Sequence, residues 1–97
     1  MNRRTWQRHE RRIAAALGAE RTPLYAPGAD VVTAEWSLEC KAWSKLPARV
    51  VDALAQAERS ASAGQTAAAV IHQVGQRTGN DLVVMRWADF ERLIREA

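Results

Sequence analysis

Apolar residues recur along this chain with two different periods, and the switches between them divide it into elements. From Arg3 to Leu17, the residues Trp6, Glu10, Ile13 and Leu17 fall at spacings of four, three and four. They share one face of a helix, and Gly18 is a natural stop after it. One member of that apolar stripe, Glu10, is an acid. The segment GAERTPLYAPGA carries Gly18, Pro23, Pro27 and Gly28 and reads as loop, with a short extended piece around residues 21–25. Residues 30–33 and 36–41 are rich in β-branched or aromatic side chains and predict two strands with a tight connection at Ala34 and Glu35.

The second half repeats the alternation of types. Pro47 fits the first turn of a helix running to about Ser62, with Val50, Leu54, Ala57 and Ala61 at helical spacing and Gly64 closing it. Its inward face is mostly small, which predicts close packing. The runs TAAAVIHQV from Thr66 and DLVVMRW from Asp81 are nearly continuous apolar stretches separated by GQRTGN, the pattern of central strands joined by a turn. From Ala88 onward, Phe90, Leu93 and Ile94 give a short amphipathic helix, with Asp89 near its start as a cap or dipole partner. The order α-β-β(-β)-α-β-β-α implies an α/β or α+β architecture, a small mixed β-sheet flanked by helices.

Length and charge narrow the class. A chain of 97 residues makes a single domain, 1–97, and one this size buries only roughly 60 to 70 % of its unfolded surface. No apolar run approaches the about 18 to 20 residues of a membrane span, and the basic start MNRRTWQRHERR leads into no signal-like apolar region. The single Cys40 has no partner for an internal disulfide, and two scattered histidines make no zinc cluster. A cytoplasmic protein without membrane or structural zinc is the expectation. The formal net charge is +3, but its distribution says more. Arg3, Arg4, Arg8, Arg11 and Arg12 crowd the first dozen residues against one acid, Glu10, a patch suited either to phosphate or to nothing more than solvent.

Three acids stand out by position: Glu10 on an apolar helix face, Asp30 at the entry to the hairpin, and Glu39 inside its second strand. A buried carboxylate is costly without a cation or hydrogen-bond donors. Strand pairing would bring Asp30 near Glu39, and Lys41 would project beside Glu39, because side chains two apart in a strand share a face. Two carboxylates and the intervening carbonyl of Cys40 would suit a hard divalent cation, Mg²⁺ or Mn²⁺. The ammonium of Lys41 could then hold an attacking water or stabilise charge on a phosphate. The competing reading of Glu39 and Lys41 is a silent ion pair on an edge strand. Asp30 could be a turn residue, Glu10 an intrahelical partner of an arginine, and Cys40 a small core residue. His72 would be a packed histidine and His9 a phosphate contact. Trp6 is expected in the core, while Trp36, Trp43 and Trp87 are free to cover the sheet, a dimer contact or a nucleic-acid surface.

The helix with Glu10, then GAD ending at Asp30, then LECK with Glu39 and Lys41, then LPARVVDALAQAE with Gln56, resembles the PD-(D/E)xK nuclease superfamily. Within it, the chain looks like the small phage and bacterial proteins similar to Holliday junction resolvases, down to the closing VVMRWADFERL. Ala29 stands where the family name has proline, and the interval from Asp30 to Glu39 is short. The resemblance implies a restriction-endonuclease-like fold with Asp30 and Glu39 as metal ligands, Lys41 as catalytic lysine, Glu10 completing the site and Gln56 as an accessory residue. It implies a metal-dependent endodeoxyribonuclease acting on branched DNA, expected as a homodimer because symmetric cleavage of a junction needs two sites. The alternative is a nucleic-acid-binding module that keeps the fold and does not cut.

Overall fold

A computed structural model describes residues 3–18 and 30–96, with side-chain surroundings in the first helix given from Gln7 onward. The extended piece expected around residues 21–25, and the side chains of Arg3, Arg4 and Trp6, lie outside the described residues. The described chain mixes α and β, with three helices and two antiparallel two-stranded sheets. Contacts group the chain into two compact units, Met1–Lys45 and Leu46–Ala97. No described helix is long and apolar enough to cross a membrane.

In the first unit, α1 (Arg3–Ala16) packs on β1 (Val31–Val32), which pairs with β2 (Ser37–Leu38). Glu10 and Ile13 of the predicted face are buried together with Ala14, Val31 and Cys40, while Leu17 is half-buried. The helix ends as its glycine requires. Leu17 still donates to the Ile13 carbonyl at 3.2 Å, and Gly18, donating to Ala15, turns to φ +66°, a left-handed conformation that costs a side-chain-bearing residue about 1 to 2 kcal/mol. The register sets Val31 opposite Leu38 and Val32 opposite Ser37. The turn falls at Ala34 and Glu35, as expected, and Thr33 holds it. Its amide donates to the Trp36 carbonyl at 2.8 Å, while its hydroxyl accepts from the amides of Glu35 and Trp36 at 3.2 and 3.0 Å. The second strand is shorter than predicted. Its ladder stops at Leu38, so Glu39, Cys40 and Lys41 continue as an extended segment outside the paired region.

In the second unit, α2 (Ala48–Ser60) begins one residue after Pro47, whose carbonyl accepts from Val50 and Val51. Leu54 is buried and Val50, Ala57 and Ala61 are half-buried, the face read from the sequence. Helix α2 packs on β3 (Ala69–Ile71), which pairs with β4 (Leu82–Val84) through Ala69 opposite Val84, Val70 opposite Val83 and Ile71 opposite Leu82. The two apolar runs were expected as central strands, covered on both faces. Instead each contributes three paired residues, Ala69 alone is buried, and Val70 and Val83 stand 66 % and 62 % exposed. Continuous apolarity signalled strand but not two-sided burial.

The next residues in that register are His72 and Asp81, joined by a 2.6 Å contact between Nδ1 and Oδ1. His72 is therefore an exposed cross-strand partner of a carboxylate and not the packed core histidine expected. A 3-10 turn, Thr78–Asn80, lies in the connection. Arg86 donates two hydrogen bonds to Glu58, at 2.9 and 3.0 Å, fastening the residue before α3 (Trp87–Glu96) to α2. That fork holds the Glu58 carboxyl below its ordinary range and raises Arg86. Arg92 donates to Thr66 at 2.7 Å, and Asp89, in the first turn of α3, meets Arg92 at 3.5 Å.

Candidate active site

Extending the first hairpin by one step beyond its ladder sets Asp30 opposite Glu39, because the register that pairs Val31 with Leu38 runs antiparallel. One specific bond closes that open end. The Cys40 amide donates to Asp30 Oδ2 at 2.8 Å. Bonded pairs alternate along an antiparallel ladder, and Thr33 with Trp36 is one such position. Two steps on is Val31 with Leu38, and two further brings the Cys40 amide into line for the next rung. The Asp30 carboxylate accepts from that amide.

The two-residue alternation of the strand persists past its ladder. Leu38 is half-buried, Glu39 exposed, Cys40 buried, Lys41 exposed and Ala42 half-buried. Glu39 and Lys41 thus share the outward side of the segment, as spacing predicted. The expectation that they sit within a core strand is corrected: the ladder ends before them, and both keep their contact with water. Their charges incur little desolvation cost, which removes the demand for a compensating partner that a core position would impose. Cys40 is 3 % exposed, the core residue anticipated.

The third acid comes from α1. Glu10 is 3 % exposed, and among the described residues no buried side-chain polar atom lacks a hydrogen-bond partner. Its charge reaches the same place as the other two. The Cys40 thiol is pushed up by burial and then by the carboxylates of Asp30, Glu10 and Glu39, with the Arg12 cation opposing them. Three acids from three segments separated in sequence therefore bear on one sulfur.

The arginine patch begins beside this point. Arg8, Arg11 and Arg12 are exposed. Arg12 donates through NH2 to His9 Nδ1 at 2.8 Å, so that nitrogen carries the lone pair and the ring proton sits on Nε2. Burial and the Arg12 cation lower the His9 pKa, with Glu10 partly offsetting them, which leaves the ring neutral near pH 7. His9 thus orients an arginine of the basic patch. The i, i+3 spacing of His9 and Arg12 is the sequence signal for this pair. Gln56, the expected accessory residue, is exposed on α2 in the second unit.

The donor chemistry of the three acids fits a hard divalent cation. It consists of carboxylate oxygens and the Cys40 carbonyl, beside a thiol whose pKa is pushed up by burial and by the same acids. The oxygens are not gathered into a cage: among the described residues no group of three or more His, Cys, Asp or Glu side chains is arranged to hold a metal ion. No family model, no curated protein and no solved structure matches this chain.

Proposed function

We propose that this protein is a metal-dependent endodeoxyribonuclease of the PD-(D/E)xK type, hydrolysing phosphodiester bonds in branched DNA in the manner of a Holliday junction resolvase. The observation that carries the reading is the open end of the first hairpin, where Asp30 accepts from the Cys40 amide opposite Glu39 and Lys41 shares the outward side of the segment with Glu39. In this reading Asp30, Glu39, Glu10 and the Cys40 carbonyl would hold Mg²⁺ or Mn²⁺. The cation would supply Lewis-acid stabilisation of the charge on the phosphate. Lys41, exposed beside Glu39, orients the attacking water and donates to the phosphate oxygens. Arg8, Arg11 and Arg12, with Arg3 and Arg4, grip the backbone. Recognition is by DNA shape and charge, because contacts to phosphate position a protein without reading bases. A homodimer in the cytoplasm would present the two sites that paired cuts require.

The test is a cleavage panel. Purified protein is incubated with four-way junction, flap, nicked and plain duplex DNA, with Mg²⁺, with Mn²⁺ and with chelator. Metal-dependent product from a branched substrate, lost in Asp30→Asn, is expected. A second reading, a binding module that does not cut, is favoured by the structural use of Asp30 at the hairpin end. It predicts retained junction binding with no product under any metal.

A further inference from the structure

We propose that Trp43 is a stacking platform for an unpaired base next to the bond to be cut, so that the enzyme selects DNA with a nucleotide displaced from the duplex. The inference rests on the nuclease reading of Lys41 and Glu39. It starts from the alternation on the extended segment: Glu39, Lys41 and Trp43 are exposed, while Cys40 and Ala42 between them are buried and half-buried. Lys41 and Trp43 therefore project from one side of the chain, about 7 Å apart along it. The indole is 62 % exposed.

An aromatic side chain of this size is ordinarily covered, and the protein's other described tryptophans follow that rule more closely. Trp87 packs its ring against Phe90 at 5.5 Å between centroids, and Trp36 is 37 % exposed. Trp43 has no ring or cation partner among the described residues. Lysines flank it along the chain. Lys41 precedes it by two residues and Lys45 follows it by two; both are exposed and neither forms an ion pair among the described residues. A lone apolar side chain on a surface needs no explanation, but an open indole between two uncommitted ammonium groups matches a ligand with a flat π-face and flanking phosphates. A paired base hides its face in the stack. An unpaired one offers it, and branch points, flaps and bulges supply such bases.

The experiment separates this inference from the cleavage chemistry by measuring binding with chelator present. Fluorescence anisotropy is recorded for a labelled oligothymidylate and for an oligomer of the same length with abasic sites, using wild type, Trp43→Ala, Trp43→Phe and Lys41→Ala. Stacking on one base is expected to give Trp43→Ala a roughly 5- to 100-fold weaker affinity for oligothymidylate, with less than about twofold change for the abasic strand. Trp43→Phe retains most of the affinity, and Lys41→Ala weakens both strands alike. Equal loss on both strands in Trp43→Ala, or no loss on either, overturns the stacking role while leaving metal-dependent cleavage intact. Failure of wild type to bind oligothymidylate at low salt also overturns the stacking role, while the cleavage panel decides the nuclease reading separately.

Discussion

The Cys40 amide and the Asp30 carboxylate close the open end of the first hairpin at 2.8 Å, so the acid proposed as a metal ligand also holds the backbone that presents Glu39 and Lys41. A hydrogen bond to a charged acceptor contributes about 1.5 to 3 kcal/mol. The two duties are separable by chemistry, because an amide keeps an acceptor oxygen and loses the charge. Asp30→Asn is expected to abolish metal-dependent cleavage with a loss of stability of about 1 kcal/mol or less. Asp30→Ala is expected to lose cleavage and about 1 to 3 kcal/mol. Denaturant melts of both variants beside the cleavage assay check this; full activity in Asp30→Asn would end its role as ligand.

Lys41 has no such structural duty. It is exposed, and surface substitutions of this kind shift stability by no more than about 0.5 kcal/mol. Lys41→Ala is expected to melt like wild type and to bind a junction within a few-fold. Cleavage should fall by at least about 100-fold, the scale of losing one charge-stabilising donor. Single-turnover kinetics at saturating protein measure the chemical step directly. Unchanged rates in this variant count against the nuclease assignment.

The element order was legible from periodicity, because helical and strand spacing leave distinct marks, and the helix stop at Gly18 and the turn at Ala34 and Glu35 came with it. Strand extent was not. The ladder ends at Leu38 although the β-rich run continues to Lys41, since propensity does not say where a side-chain carboxylate will accept from the next amide. The same limit applies to Val70 and Val83, whose apolarity predicts a strand but carries no information about what covers them. The pairs His72 with Asp81 and Arg86 with Glu58 depend on register and on helix placement, neither of which is written in local sequence. Glu10, Asp30, Glu39 and Lys41 were legible as exceptions: each is charged where the surrounding pattern is apolar.

Acid should loosen the first unit through His9. Its pKa is lowered in the folded chain by burial and by Arg12, so the unfolded chain binds the proton more readily. Stability is therefore unaffected well above the unfolded value of about 6.5 and declines as pH falls through it, until the folded ring also titrates. Protonation removes the Nδ1 lone pair that accepts from Arg12. Thermal melts between pH 8 and pH 5 should show a decline that His9→Gln reduces. Identical pH profiles for wild type and variant would remove His9 from the account.

Cys40 offers a reading of the site that does not depend on cutting DNA. Burial and then Asp30, Glu10 and Glu39 raise its pKa, with Arg12 opposing, so its thiolate fraction at pH 8 is smaller than that of a free cysteine. The linkage has a definite sign. The unfolded thiol releases its proton first, so stability is lost as pH rises above about 8.5 toward the folded value. A divalent cation held by those carboxylates would cancel part of the field that opposes ionisation. Alkylation of Cys40 at fixed pH should therefore be slow without metal, faster with saturating Mg²⁺ or Mn²⁺, and faster without metal in Asp30→Asn than in wild type. The metal response should shrink in that variant, because one ligand is gone. Burial slows every rate in the series, so the ratio with and without metal within each variant carries the information. A rate indifferent to both cation and substitution would mean that the three acids do not act together on this sulfur, and the case for a shared ion would fall with it.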